Sequence, residues 1–130
     1  MTEPVEILAA SPFRIEIHPG DVVIAFMETE MDEITKEQIM AFRDIVESSG
    51  GGKKMRVITV IRRFNVISPE GRDWSASDEG QKFTMANAIV VESVAAKIGA
   101  NFYVRFANPA TPTRVFNDLP SAVKWIRNVK

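Results

Sequence analysis

Seven polar side chains occupy positions where parallel β-sheets commonly bind their ligands. Each follows a predicted strand or begins the next helix: Arg62, Arg63, Ser68, Glu92, Ser93, Asn117 and Asp118. Ligands of open α/β sheets bind beyond the carboxyl ends of the strands, so these residues are candidates to line one crevice. The two arginines and the predicted helix N-termini would favour an anion there. The alternative is that all seven are ordinary strand exits and helix caps, where polar residues are common anyway.

Ser68 has two candidate roles. In the segment Ser68-Pro69-Glu70 it is placed as an N-cap, with proline at the first helical position and an acid near the positive end of the helix dipole. The same hydroxyl is a candidate phospho-acceptor, because a phosphate at a helix N-terminus gains from the dipole. The cap is the favoured interpretation, and the two roles can share the residue.

Two other motifs have simpler interpretations. The run Gly50-Gly51-Gly52-Lys53-Lys54 hints at a phosphate loop, but it follows a predicted helix and precedes a strand, and no Ser or Thr comes after the lysines. It therefore predicts a helix stop and a solvated turn. His18 lies in a predicted turn, which favours an exposed turn residue over a general base.

The residue types argue against catalysis. The chain has no cysteine and a single histidine, so we expect no thiolate nucleophile, no disulfide and no Cys- or His-based metal site. Common catalytic and nucleotide-binding motifs are missing as well. An enzyme that uses Ser68, Asp73 or Glu92 is the least favoured hypothesis. We predict a non-catalytic protein without cofactor or metal.

Composition limits the other classes of function. The 130 residues are the size of one domain, which we assign to residues 1–130, with residues 1–11 as a loosely ordered N-terminal segment. Sixteen basic and seventeen acidic side chains leave a net charge of −1, so we predict no nucleic-acid binding. No signal peptide and no membrane-spanning run is apparent, which predicts a cytoplasmic protein without membrane insertion.

The first half of the chain predicts a hairpin, a helix and a strand. Residues 13–18 alternate apolar and polar, and residues 22–27 are continuously apolar, with a type II turn between them. Thr35 and Gln38 match a capping box, and the helix that they begin ends at Gly50. Residues 55–61 then read as a central strand.

The second half alternates helices and strands. The helix that begins at Ser68 is predicted to continue, with a break near residues 75–77, toward Met85. Residues 88–91 are predicted as a short strand, and Ser93 caps a helix that extends to Phe106. The sequence NFYVRF within that helix has strong β-propensity, which makes it the least secure element. A short strand at residues 113–116 and a helix capped by Asp118 complete the order β-β-α-β-α-β-α-β-α. We predict an α/β domain with about five strands, mostly parallel, and about four helices.

Several aromatic side chains fall on the later helices and are expected in the core or at an interface, since Trp and Tyr are enriched at interfaces. A homodimer through these helices is therefore predicted.

The closing pattern, strand TRVF followed by an acidic cap and the helix SAVKWIRN, resembles the bacterial SpoIIAA-like group of the STAS and SEC14-type α/β domains. The stretches SPEGRDWSASDEG and AIVVESVAAKIGANFYVRFANPATPTRVF resemble a small bacterial family of uncharacterised proteins. The likeness covers Phe13 to the C-terminus.

The resemblance implies a fold and two kinds of function. STAS domains that antagonise anti-sigma factors carry a phosphorylated serine in a motif similar to D-S-S-G-L, for which only Ser68 could substitute, since the rest of the motif is missing. The resemblance implies a regulatory module that binds a protein partner or itself. The alternative implied by SEC14-type relatives is a protein that binds a small molecule or lipid.

Overall fold

A six-stranded sheet forms the centre of the protein, and its strands lie side by side in chain order. The computed structural model describes residues 3–63 and 65–130. The first two strand pairs are antiparallel, and the strands from the third to the sixth are parallel. The strands are β1 (Glu6–Ala10), β2 (Phe13–His18), β3 (Val22–Met27), β4 (Met55–Ile61), β5 (Thr84–Val91) and β6 (Thr113–Phe116).

Three helices cover one face of the sheet and one covers the other. The helices are α1 (Lys36–Gly50), α2 (Pro69–Ala76), α3 (Val94–Phe102) and α4 (Leu119–Arg127), and a π-helical turn, Tyr103–Ala107, extends α3. The predicted mixed α/β class, with an antiparallel hairpin and a mostly parallel sheet, is confirmed.

The helix boundaries follow from local capping. Thr35 accepts a hydrogen bond from the backbone of Gln38, whose side chain bonds back to the Thr35 backbone, so the predicted capping box is present. At the other end of α1, Gly51 has φ +60° and its N–H donates to the carbonyls of the last turn. The glycine run is therefore a helix stop, as predicted.

The sixth strand was not predicted from the sequence. Residues 1–11 were expected to be loosely ordered, but Glu6–Ala10 forms β1, which pairs with β2 so that Leu8 lies opposite Ile15. Leu8 and Ala10 pack against the core of the sheet. The strand exists because β2 offers an edge with an apolar face, which is a tertiary partner and not a local signal. Met1 and Thr2 lie outside the described residues.

The predicted break near residues 75–77 is present, and only the predicted continuation of α2 toward Met85 was wrong. The helix ends at Ala76, because the Ser77 hydroxyl donates to the Trp74 carbonyl and also accepts from the Gly80 N–H. A Cβ on residue 80 would collide with the Trp74 carbonyl oxygen, so this turn needs glycine. Strand β5 then begins at Thr84, earlier than the predicted start at Ala88.

The segment NFYVRF is helical, as predicted, in spite of its β-propensity. Residues Asn101 and Phe102 complete α3, and the remainder forms the π-helical turn, which ends before Asn108 at φ +50°. The helix lies on the sheet through Ala96 and Ala100, which are buried against Val91. Their small side chains allow the helix to lie close to the strands.

Each face of the sheet buries its own apolar cluster. On the face covered by α1, α2 and α3, Val23 and Val57 pack against Val46 of α1. On the opposite face, Ile24 and Ile58 pack against Ile126 of α4. Each of these side chains is at most 2% exposed, and burial of such a side chain stabilises the fold by about 1.5–3 kcal/mol.

Arginine side chains cover the part of the second face that α4 leaves open. The guanidinium groups of Arg14 and Arg62 lie 4.3 and 4.7 Å from the centre of the Phe26 ring, which is 4% exposed. Stacked guanidinium groups shield an aromatic ring from water and add cation–π attraction. This arrangement takes the place of a second helix over β2 and β3.

His18 lies in the same region, and the prediction that it is an exposed turn residue was wrong. It is the last residue of β2, it is 3% exposed, and its Nε2 lies 2.8 Å from Oε1 of Glu16. Arg14 Nη1 donates to the second oxygen of that carboxylate at 2.6 Å. Burial raises the pKa of Glu16, but the hydrogen bonds from His18 and Arg14 outweigh it and hold that pKa below its usual value.

The Glu16 carboxylate should make stability depend on pH. Its pKa is lower in the folded state than in the unfolded chain, so its contribution is present above the unfolded pKa and is lost as pH falls through the folded pKa. We expect Glu16→Gln to lower the free energy of unfolding at pH 7 by about 1–3 kcal/mol. In urea denaturation series from pH 7 to pH 3, the gap between the variant and the wild type should narrow as the solution is acidified.

Glu6→Gln is the matched control, because Glu6 is exposed on the neighbouring strand β1. It should leave the unfolding free energy within about 0.5 kcal/mol of the wild type at pH 7. A constant gap between Glu16→Gln and the wild type at every pH would contradict the assignment.

Candidate functional site

The structure brings together some of the seven residues predicted to line a crevice. Arg62 follows β4 and Glu92 follows β5, and Arg62 Nε lies 3.7 Å from Glu92 Oε1. Arg62 also donates to Glu28 at 3.5 Å, and Arg63 donates to Glu30. Carboxylates therefore already accompany both arginines, which reduces the positive potential available to an anion.

The other predicted site residues lie at helix N-termini. Ser68 Oγ accepts from the Gly71 N–H at 3.0 Å, and Ser93 Oγ accepts from the Ala96 N–H at 3.1 Å. Asp118 Oδ1 accepts from the Ser121 N–H at 2.8 Å, and this backbone hydrogen bond lowers the pKa of Asp118. All three are caps, as the alternative interpretation holds, and Asn117 is exposed beside the last of them. Anion binding by the group and phosphorylation of Ser68 stay predictions.

The strand order indicates where the parallel part of the sheet can form a crevice. Such crevices form where the strand order reverses and successive helices leave toward opposite faces. Here β3 to β6 run in chain order, and the intervening helices α1, α2 and α3 all lie on one face. Helices leave toward opposite faces after β5 and β6, since α3 lies on that face and α4 on the other. A separate space opens between α1, α2, α3 and the sheet.

A cavity of about 300 Å³ occupies that space. Apolar side chains form most of its wall, from the sheet and from α1 and α3. These include Phe13, Met27, Phe42, Val57, Ile89 and Phe102. The volume falls at the lower end of the range typical of small-molecule sites, about 300–1,000 Å³.

Polar side chains at the wall form two separate groups, and the members of each group are hydrogen-bonded to one another. Asn87 Nδ2 donates to Gln81 Oε1 at 2.6 Å and to the Thr111 hydroxyl at 3.0 Å, while Gln81 Nε2 donates to the Ser75 carbonyl at 2.6 Å. The Tyr103 hydroxyl lies 3.0 Å from Ser75 Oγ. Burial raises the pKa of Tyr103, and the hydrogen bond to Ser75 offsets part of that rise, so the phenol is neutral at physiological pH.

Arg43 is a third polar group of the wall and differs from the others. It projects from α1, its side chain is 17% exposed, and its guanidinium lies over Phe83 at 4.7 Å and Trp74 at 6.0 Å. Nη2 donates to Glu79 at 3.1 Å, but the buried Nε has no hydrogen-bond partner. Together with Arg72 it gives the described wall two guanidinium groups and no carboxylate.

Sequence reasoning missed this cavity, although one signal points to it. The apolar stripe of α1 includes Ile39, Phe42 and Val46, and Arg43 falls four residues after Ile39 and three before Val46, on the same face. A cation on the apolar stripe of a helix predicts a partner or a polar cavity beneath it. The rest of the wall comes from distant segments and has no local signature.

A second surface lies on the outer side of α3. Val94, Ile98, Phe102 and Phe106 recur every four residues and are 77%, 65%, 46% and 64% exposed, and we call these four residues the α3 stripe. The rings of Phe102 and Phe106 lie 4.7 Å apart. An apolar row of this length on the surface of a protein is typical of an interaction site.

Two kinds of feature are not found in the described part of the chain. Within residues 3–63 and 65–130, no three His, Asp or Glu side chains are grouped closely enough to hold a metal ion. In the same ranges, every helix is too short or too polar to cross a bilayer.

A solved structure from Shewanella loihica PV-4, an uncharacterised protein of the DUF3478 family with a SpoIIAA-like fold, is similar to the chain. The two are 15% identical, the similarity covers 97% of this chain and 98% of that one, and the TM-score is 0.54. At this identity the likeness shows the fold alone, and it confirms the predicted SpoIIAA-like fold. None of the curated proteins matches the chain. The model of a family described as a domain of unknown function, DUF7793, matches residues 16–130, so the chain belongs to that family.

Proposed function

We propose that the protein is a non-catalytic binding module whose ligand is a small molecule held in the cavity between the sheet and α1, α2 and α3. The observation that carries the proposal is the cavity itself, about 300 Å³ with apolar walls and a few polar groups. Such a combination is the usual form of a small-molecule site. The described wall offers Arg43 and Arg72 but no carboxylate or imidazole, which suits binding better than general acid–base catalysis. A chain without cysteine also suits the reducing cytoplasm.

The proposal predicts that naphthalene, a neutral apolar probe, enters the cavity. We expect binding, measured by ligand-observed NMR, and chemical-shift changes at the methyl groups of Val57 and Ile89, which line the cavity. Ala100→Leu adds volume to a wall residue and should weaken the binding about tenfold or more, because the probe and the new side chain compete for the same space.

Ala95→Leu is the matched control, because Ala95 lies on the same helix but is exposed. It should leave naphthalene affinity unchanged, and thermal denaturation should show that both variants are folded. No binding to the wild type, or an equal loss in both variants, would remove the cavity as the functional site.

A second candidate function, protein interaction, is favoured by the α3 stripe. Helix α3 buries Ala96 and Ala100 against the sheet and presents larger apolar side chains to solvent, which is the reverse of the usual arrangement. The helix lies over β5 and β6, next to the unpaired edge of the sheet. A second copy of this chain is the occupant that we propose, because two such stripes are complementary to each other in an isologous dimer.

The dimer is tested by sedimentation at a series of protein concentrations. Ile98→Glu places a charge in the middle of the α3 stripe and should raise the dimer dissociation constant about tenfold or more. Ile7→Glu is the control, since Ile7 is 61% exposed on β1 at the opposite edge of the sheet, and it should leave the dimer intact. A wild type that remains monomeric at every concentration would exclude the second copy as occupant.

A further inference from the structure

Arg43 is held rigidly in the wall of the cavity. Its guanidinium lies against the rings of Phe83 and Trp74, and Nη2 is bonded to Glu79 at 3.1 Å. A planar guanidinium that is stacked and bonded on one side is preorganised, so it loses less entropy for each further hydrogen bond. A ligand that binds to it therefore has little ordering left to impose.

The hydrogen bonds of Arg43 are incomplete. The Nε–H is buried and has no partner, and Nη1 lies 3.7 Å from Asp44, beyond hydrogen-bond distance. Other polar side chains near the cavity bond to one another instead, since Asn87 Nδ2 and the Thr111 hydroxyl both donate to Gln81 Oε1. The Nη1 group is not enclosed in this way and has no hydrogen bond among the described residues, so it is the donor that a ligand oxygen can reach.

The charge of the described wall favours a negative ligand. Arg72 lines the same cavity, and the carboxylates that accompany the two arginines lie outside the described wall. They are Glu79, Asp44 and Asp73, which are 62%, 68% and 68% exposed. Water screens those exposed carboxylates, whereas an anion inside the cavity would interact with the arginines at lower dielectric. Inside the cavity, no carboxylate of the described wall neutralises the positive charge of the two arginines.

The size of the cavity limits the rest of the ligand. A cavity of about 150 Å³ holds benzene, so the space of about 300 Å³ here corresponds to a body of roughly a dozen non-hydrogen atoms. Phe13, Phe42 and Val57 line that space, and they require an apolar body. With Arg43 Nη1 left without a hydrogen bond among the described residues, a single anionic head is enough.

We infer that the cavity binds an organic monocarboxylate with an apolar body of about a dozen non-hydrogen atoms, whose carboxylate accepts hydrogen bonds from Arg43. The inference rests on the proposed function of the cavity and adds the chemical class of the ligand. Aromatic and medium-chain aliphatic acids share this chemistry, so both belong in the test.

The experiment compares two matched pairs of probes by titration calorimetry and NMR: 1-naphthoate with naphthalene, and decanoate with 1-decanol. A hydrogen bond between charged partners predicts that at least one acid binds the wild type about tenfold or more tightly than its neutral counterpart. The pair with the larger difference in affinity between acid and neutral probe shows whether the ligand is an aromatic or an aliphatic acid. Chemical-shift changes should again include Val57 and Ile89.

Arg43→Gln should remove the preference for the acid and leave the affinity for the neutral probe within about twofold, which also shows that the cavity is still formed. Arg43→Lys should retain part of the preference, because it keeps the charge but not the planar fork. Arg105→Gln is the control, since Arg105 is exposed on the π-helical turn and is absent from the described wall. It should change neither affinity.

The outcomes separate the two proposals. Binding of naphthalene without any preference for either acid overturns the monocarboxylate inference and leaves the cavity as a binding site. A preference that survives in Arg43→Gln overturns the role of Arg43. Failure of all four probes to bind overturns the proposed function as well.

Discussion

The return of three successive chain crossovers to the same face of the sheet is the constraint on which the rest of the structure depends. Because β3 to β6 lie in chain order, α1, α2 and α3 share one face and α4 alone covers part of the other. Three helices therefore share the first face of the sheet, and a single helix is left to cover the second. The two unusual regions of the molecule, the cavity and the arginine-covered Phe26, follow from this imbalance.

The cavity remains open because neither helix α2 nor the polar side chains of the wall fill it. Helix α2 ends at Ala76, where Ser77 and Gly80 turn the chain, so it leaves part of the sheet uncovered. The wall also contains Gln81 and Asn87, and their hydrogen bond to each other fixes the position of both side chains. A buried polar network of this kind is costly to rearrange, since collapse of the cavity would leave its members without partners.

On the other face, arginine side chains cover an apolar ring that no part of α4 covers. The Phe26 ring is almost fully buried without a helix above it, because Arg14 and Arg62 lie across it and are held by Glu16, Glu28 and Glu92. Arg62, one of the two arginines predicted to favour an anion, is thus bonded to Glu28 and Glu92. Arg62 in particular joins the carboxyl end of β4 to that of β5, which makes it a structural element of the sheet edge.

The two proposed surfaces meet at one side chain. Phe102 lines the cavity and is also a member of the exposed α3 stripe. Helix α3 thus separates the interior site from the external one by the thickness of a single helix that contacts the sheet through alanines. The SpoIIAA-like fold in itself specifies neither of the two proposed functions.

By itself the sequence determined the local features. The caps at Thr35, Ser68, Ser93 and Asp118, the helical state of NFYVRF and the glycine stop after α1 depend on residues within a few positions of each other, so their signals are complete in the sequence. The antiparallel hairpin and the general α/β order followed from periodicity and turn residues for the same reason.

Only the tertiary structure decided which faces are buried and what they enclose. Strand β1 forms because β2 lies beside it, His18 is buried because Glu16 and the sheet surround it, and α3 presents its larger apolar side chains outward because only Ala96 and Ala100 fit against the strands. The cavity is assembled from segments as distant as Phe13 and Tyr103, and these distant segments put Arg43 in its wall. Burial and convergence are properties of contacts between distant residues, and the spacing of residues along the chain does not encode them.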